Sequence, residues 1–275
     1  LKANTTGKYN VGIGSEVLIV STTAQRNVAL GYQASRLTTT GSNNVALGSQ
    51  SMYTNTTGQC NVSIGSAAMY ANTKGRCNVA IGKEALKENT CGCSNVALGT
   101  FAAYNNTTGA NNIAIGTCAY CSGTTAINNI AIGNKAMMGH SGSGSCNTVL
   151  GIAAFQSPES CGSNNTALGF AALLKGGSNT VAIGANALRN VGCSSCGSHT
   201  NVAMGGNAGC LLTKGCRNVF IGYQAAECSV HDTAGGTIDD NVAVGTGAMK
   251  NNVNGHDQVA IGAFAMSAGG SGSNV

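Results

Sequence analysis

A glycine returns along this chain at almost fixed spacing, closing a block of the type Asn-Val-Ala-Ile-Gly at Gly14, Gly31, Gly48, Gly65, Gly82, Gly99, Gly116, Gly133, Gly151, Gly169, Gly184, Gly205, Gly222, Gly245 and Gly262. The first seven intervals are all 17 residues, and the rest are 18, 18, 15, 21, 17, 23 and 17. A unit this short cannot bury an apolar face alone, so it must stack on its neighbours into one continuous core. Residues 1–275 therefore read as a single array, with regular 17-residue coils over 1–133 and coils carrying insertions over 134–275. Stacked at about 4.8 Å per coil, fifteen coils would make a rod of roughly 70 Å. Leu1 falls in the middle of a repeat, which suggests a segment of a longer fibre.

Each column of the repeat carries a physical preference. An aliphatic residue stands one place before the glycine, as at Ile13, Leu30 and Ile64, and Val, Ile or Thr stands three places before it, as at Val11, Val28 and Ile113. The two share parity in a strand and are β-branched or aliphatic, so they are expected to face the coil interior. The column between them is Ala in 11 of 15 coils and should face away from that interior. Solvent-facing strand positions are usually polar, so Ala29, Ala46, Ala80, Ala97, Ala114 and Ala131 become candidates for a contact with another sheet or chain. Three residues after the glycine the chain is Ala in 13 of 15 coils, often followed by Leu or Met, which reads as a second short strand entered through a glycine corner.

Four places before the glycine stands Asn in 13 of 15 coils, among them Asn10, Asn27, Asn44, Asn61, Asn78, Asn95, Asn112 and Asn129. Stacked amides can donate and accept along the rod, so this column is expected to form a ladder that fixes register. No 3.6-residue apolar period appears, and Gly, Asn and β-branched residues dominate, which excludes a helical array. The fold class is all-β, a parallel β-solenoid of about fifteen coils. A Thr column at Thr5, Thr22, Thr39, Thr56, Thr73, Thr90, Thr107 and Thr124 has two readings: turn chemistry, or a flat ice-binding face.

Composition removes several functions. Aromatic residues are 4% and charged residues 8% of the chain, and the net charge of +5 is scattered without a basic stripe, so nucleic acid is not an expected partner. The apolar runs are three to five residues long, too short for a membrane span. His140, His199, His231 and His256 have no repeated partner at catalytic spacing and read as surface loop residues. Asp232, Asp239 and Asp240, with Glu227 near, read as a solvated loop. No Gly-Lys-Ser or Gly-Lys-Thr phosphate loop is present. No catalytic residue, cofactor or metal is expected, and the chain does not read as an enzyme. Glycosylation sequons occur at Asn4, Asn55, Asn61 and Asn164; the Asn-Thr-Thr-Gly turns would be exposed acceptors and Asn61 a buried one.

Thirteen cysteines suggest an oxidising, extracellular destination. Cys60 and Cys77 lie 17 residues apart in one column and are the first disulfide candidate. The pairs Cys118-x-x-Cys121 and Cys193-x-x-Cys196 are further candidates, and a zinc site shared between them is disfavoured because they belong to different coils.

The Asn-Val-Ala-Ile-Gly-x-x-Ala-Leu block followed by Asn-Thr-Thr-Gly resembles the repeats of phage and other viral tail fibres and of bacterial surface fibres. It is also similar to the head repeats of trimeric autotransporter adhesins, which use a shorter coil. The resemblance covers almost the whole chain. It implies a left-handed β-roll in a homotrimer, with the Ala column between chains, at a virion surface or outside the cell. The function expected is the shaft of a fibre, able to polymerise end to end. The alternative is an adhesin binding a cell-surface or glycan receptor through the insertions at 189–200 and 226–240.

Overall fold

The computed structural model describes residues 2–140, 143–156, 162–175, 177–191, 200–229, 238–252 and 255–267. It is all-β, a parallel solenoid with a period of about 17 residues and fifteen three-residue strands. The chain divides into two compact units, Leu1–Lys135 with Ser141–Ser143, and Ala136–His140 with Gly144–Val275. The first holds β1 (Val11–Ile13), β2 (Val28–Leu30), β3 (Val45–Leu47), β4 (Val62–Ile64), β5 (Val79–Ile81), β6 (Val96–Leu98), β7 (Ile113–Ile115) and β8 (Ile130–Ile132). The second holds β9 (Thr148–Leu150), β10 (Thr166–Leu168), β11 (Val181–Ile183), β12 (Val202–Met204), β13 (Val219–Ile221), β14 (Val242–Val244) and β15 (Val259–Ile261). Within each unit the strands pair in sequence order and keep one register. Thr166 pairs with Val181 across a 15-residue interval and Val219 with Val242 across 23, so length changes are absorbed outside the strands.

The strand faces are the reverse of the parity assignment made from residue size. The middle residue points into the coil: Ala46, Ala80, Ala97, Ala114 and Ala131 are fully buried and Ala29 nearly so, within a single chain. The flanking Val, Ile and Leu side chains lie on the outer face, half-buried or exposed. The Ala column is therefore core, and it is not available as a contact between chains. The reason is volume. The inward Ala shares the coil with the Ala three residues after the glycine and with a large residue one place further on, such as Leu18, Met52, Met69, Leu86, Met137 or Leu188, all fully buried. Together these fill a narrow cross-section that leaves room for little more than a methyl at most strands, fully buried Val149 excepted.

Two other exceptions are compensated by a partner in the preceding coil. Ser63 replaces the strand Ala and Ser51 replaces the later Ala of the preceding coil; the two hydroxyls meet inside at 2.7 Å, and Ser63 donates onward to the carbonyl of Ala68 at 2.9 Å. Phe220 takes the Ala position where Gly209 replaces the large residue, and a Cβ on Gly209 would lie 2.8 Å from the Phe220 ring.

Among the described residues no second strand follows the glycine; the segment is a chain of turns. Non-glycine residues occupy the left-handed region five places before the glycine (Tyr9 at φ 62°, Cys60 at 58°), two after it (Glu16 at 56°, Phe101 at 58°) and four after it (Leu18 at 47°, Tyr120 at 51°). Each such residue disfavours the fold by about 1 kcal/mol in isolation. Coil-to-coil hydrogen bonds offset this: Gln50 N–H donates to Tyr32 O, Met52 N–H to Ala68 O and Cys60 N–H to Ser42 O. The turns are thereby stitched as regularly as the strands.

The Asn ladder forms as the column implied. Asn44 Nδ2 donates to Asn27 Oδ1 at 3.1 Å and to Gly58 O at 2.9 Å, while Asn27 Oδ1 also accepts the Asn44 backbone N–H at 2.9 Å. The same triad recurs at Asn61, Asn78, Asn95 and Asn112. A second amide ladder, which the turn reading missed, runs Asn55, Asn72, Asn89 and Asn106 with contacts of 2.7 to 2.9 Å. Asn55 is thus fully buried and is no exposed glycosylation acceptor, in contrast to Asn4 and Asn164.

Candidate functional site

The outer face of the sheet is the most unusual surface on the chain. In the first unit every strand presents two aliphatic side chains outward, sixteen in all from Val11 to Ile132, and no strand residue is charged. Val28, Leu30 and Ile81 are each about 40% exposed. Parallel sheets are normally covered on both faces, because exposed β-branched rows forfeit their burial free energy. Half-exposed aliphatic side chains amount to roughly 45 Å² apiece, so sixteen give on the order of 700 Å², close to the approximately 800 Å² each partner contributes to a stable interface. The second unit carries its own version, with Leu150, Leu168, Met204, Ile221 and Ile261 outward, and it adds exposed Ile152, Phe170 and Tyr223 just after the glycines.

A different side of the first unit is polar and self-contained. Arg36 donates to Glu16 at 2.9 Å and lies over the Tyr53 ring, and Tyr53 stacks on Tyr70 with centroids 5.0 Å apart. Gln33, then Arg36, hold the Glu16 carboxyl below its ordinary range by hydrogen bonding. Lys87 bonds Glu84 and Tyr104, which raise its pKa.

The Thr column is explained by turn chemistry. Thr39 Oγ1 donates to Thr56 O at 3.0 Å, and that carbonyl also receives the N–H groups of Thr39, Thr40 and Gly41. The hydroxyls of Thr5, Thr22, Thr39, Thr56, Thr73, Thr90 and Thr107 each donate to a backbone carbonyl of the next coil.

The cysteine candidates behave differently from expectation. Cys60 and Cys77 are exposed thiols with no bond between them. In-register parallel coils hold the two Cβ atoms near the coil spacing of about 4.8 Å with parallel vectors, beyond the 3.5 to 4.5 Å that a disulfide prefers. Cys118 and Cys121 are half-buried thiols. Burial first, then the neighbouring Cys118, push the Cys121 thiol up. The pair Cys193 and Cys196 lies outside the described residues, as does most of both insertions. Buried Cys216 is disulfide-bonded. Among the described residues no group of three or more metal-ligating side chains comes together, and no helix is long and apolar enough to cross a membrane.

Two polar residues correct the surface reading. His140 is buried against Phe155, with Nε2 2.9 Å from Gly144 O. A carbonyl only accepts, so Nε2 carries the proton. Burial lowers the imidazole pKa, the Gly144 bond opposing it in part. Below about pH 6.5 the unfolded chain takes up a proton that the folded ring resists. Stability is therefore expected to fall as pH drops from there through the lowered folded value and then to level off. His140→Asn should flatten this slope in denaturant titrations at several pH values; an unchanged slope would refute the assignment. His256 is exposed, while His199 and His231 lie outside the described residues. The acidic loop residues are engaged: Asp240 takes both Arg217 Nε and Nη2 at 2.6 Å, and Asp239 accepts the Cys216 N–H at 2.7 Å. Asp232 lies outside the described residues.

Searches of protein-family models, of curated proteins and of solved structures return no match to this chain.

Proposed function

We propose that the chain is a structural protein, a segment of an extended fibre outside the cell or on a virion, in which copies of the chain pack through the aliphatic sheet face. The observation that carries this reading is the uncharged row of outward Val, Ile and Leu on β1 to β8. The interior and the turns are laced with coil-to-coil bonds, so stacking and stiffness account for most recurring features of the repeat without calling on a reactive centre. The assembly favoured is the homotrimer implied by the resemblance, with the Val and Ile columns replacing the Ala column at the interface.

Sedimentation equilibrium is the test. The native chain is expected to sediment as a trimer at micromolar concentration, and Val79→Glu with Val96→Glu, two neighbouring outward positions, as a monomer with an unchanged circular dichroism spectrum. A native chain that stays monomeric would overturn the reading.

A further inference from the structure

Cys118 and Cys121 stand two and five places after Gly116 in one turn, between them Ala119 and Tyr120, which point inward and are fully buried. Both thiols consequently project from the same outer side. Their backbones are pinned to the preceding coil: Cys118 N–H donates to Thr100 O and Cys121 O accepts from Asn105 N–H, each at 3.0 Å. In the same two columns that coil carries Phe101 and Tyr104, packed edge to face at 5.8 Å. Large rings on one coil and small thiols on the next make a step, seen as an open recess of about 230 Å³ lined by Phe101, Tyr104, Asn105, Cys118 and Cys121. Its surroundings carry three lysines and one carboxylate, Glu84, which pairs with Lys87 at 3.1 Å and lies 4.0 Å from Lys83. Lys83 lies 5.8 Å over Phe101, Lys87 5.2 Å over Tyr104, and exposed Lys135 occupies the Cys118 column one coil on.

We propose that this recess is a thiol–disulfide exchange site, at which Cys118 and Cys121 are oxidised to an intracoil disulfide by a small anionic disulfide of the glutathione type. The ends of a four-residue turn hold their Cα atoms within about 7 Å, and disulfides span 4.4 to 6.8 Å, so closure needs little backbone movement. Coil-to-coil pairs such as Cys60 and Cys77 lack that geometry. The aromatic walls take the reagent's apolar stem, and exposed Lys135, with Lys83 and Lys87 partly offset by Glu84, takes its carboxylates. One cysteine sulfur gives its proton to solvent and attacks a sulfur of the reagent; the S–S bond breaks and the departing thiolate takes up a proton. The second cysteine attacks the mixed disulfide in the same way. In sum, two S–H bonds become one S–S bond, two electrons pass to the reagent, and two small thiols leave. Burial raises the Cys121 thiol, so attack by that sulfur becomes faster as pH rises. The site stands apart from the aliphatic face and does not depend on the fibre reading.

The test incubates the full chain with excess glutathione disulfide, blocks remaining thiols with N-ethylmaleimide and reads the digest by mass spectrometry. The peptide containing Cys118 and Cys121 is expected to lose two hydrogens and escape blocking, and to recover both under reduced glutathione. Cys60 and Cys77 should instead carry mixed disulfides or the blocking group. Cys118→Ser should trap Cys121 as a stable glutathione adduct. Blocking or stable glutathione adducts at both residues in the native chain would overturn the proposal, as would closure no faster in the folded chain than in urea.

Discussion

Gly99→Ala is expected to destabilise the chain by about 4 kcal/mol, enough to remove the cooperative unfolding transition of the first unit in a denaturant titration followed by circular dichroism. Gly99 has φ +133°, a region that side chains rarely enter, and a Cβ there would lie 2.7 Å from both the carbonyl carbon and the oxygen of Gly116. The obstacle is backbone, which no rotamer change can move. It cannot shift along the rod either, because a Cβ on Gly116 would meet Gly133 O at 2.5 Å and one on Gly82 would meet Gly99 O at 2.5 Å. Gly262→Ala supplies the control: φ is +126° and nothing lies within 4 Å. It should show only the conformational penalty, about 1 to 2 kcal/mol. Equal losses at the two positions would mean that coil spacing is not set by glycine contact.

These glycines also show where sequence reasoning reached and where it stopped. The fifteen strands, their parallel order and the Asn ladder were legible, because a recurring block at near-constant spacing favours in-register stacking and an Asn amide both donates and accepts along a stack. The direction in which the strands face was not. Alternation states that Ala80 and its neighbours Val79 and Ile81 oppose one another, and says nothing about which side is the core. One signal was available in the matched exchange of the strand Ala and the later Ala for Ser63 and Ser51, although Val149 and Phe220 depart while the later Ala stays unchanged. The left-handed residues left no trace in composition, since Glu16, Phe101, Cys118 and Lys135 share one column and one backbone conformation. Their conformation is imposed by hydrogen bonds to adjacent coils, which a single repeat cannot reveal. The recess at Cys118 and Cys121 was half visible: the spacing showed two cysteines on one turn, but the aromatic step beside them depends on columns whose outward direction had been unknown.

Removing one rung of the amide ladder should cost nearly as much as crowding a glycine. Asn95 is 1% exposed and takes part in five hydrogen bonds: its N–H and Nδ2 donate to Asn78 Oδ1, Nδ2 also to Gly109 O at 2.8 Å, and its Oδ1 accepts the N–H and Nδ2 of Asn112. Asn95→Ala strands the buried Asn112 N–H and leaves the Gly109 carbonyl with Asn106 Nδ2 alone, for an expected loss of about 3 kcal/mol. Asn95→Asp separates geometry from hydrogen bonding, because it keeps the shape and the acceptor toward Asn112 but turns an oxygen toward the Gly109 carbonyl. As a carboxylate it is buried beside an acceptor, so its folded pKa must rise above the unfolded value near 3.9. The folded state then gains from protonation: the Asp variant should be nearly as unstable as Ala at neutral pH and recover toward the native chain as pH falls through the raised folded pKa, when its hydroxyl can donate to Gly109 O. The Ala variant has no group to protonate and should show no such recovery. If Asp and Ala respond to pH alike, the amide contributes packing alone and the ladder is not what holds the coils in register.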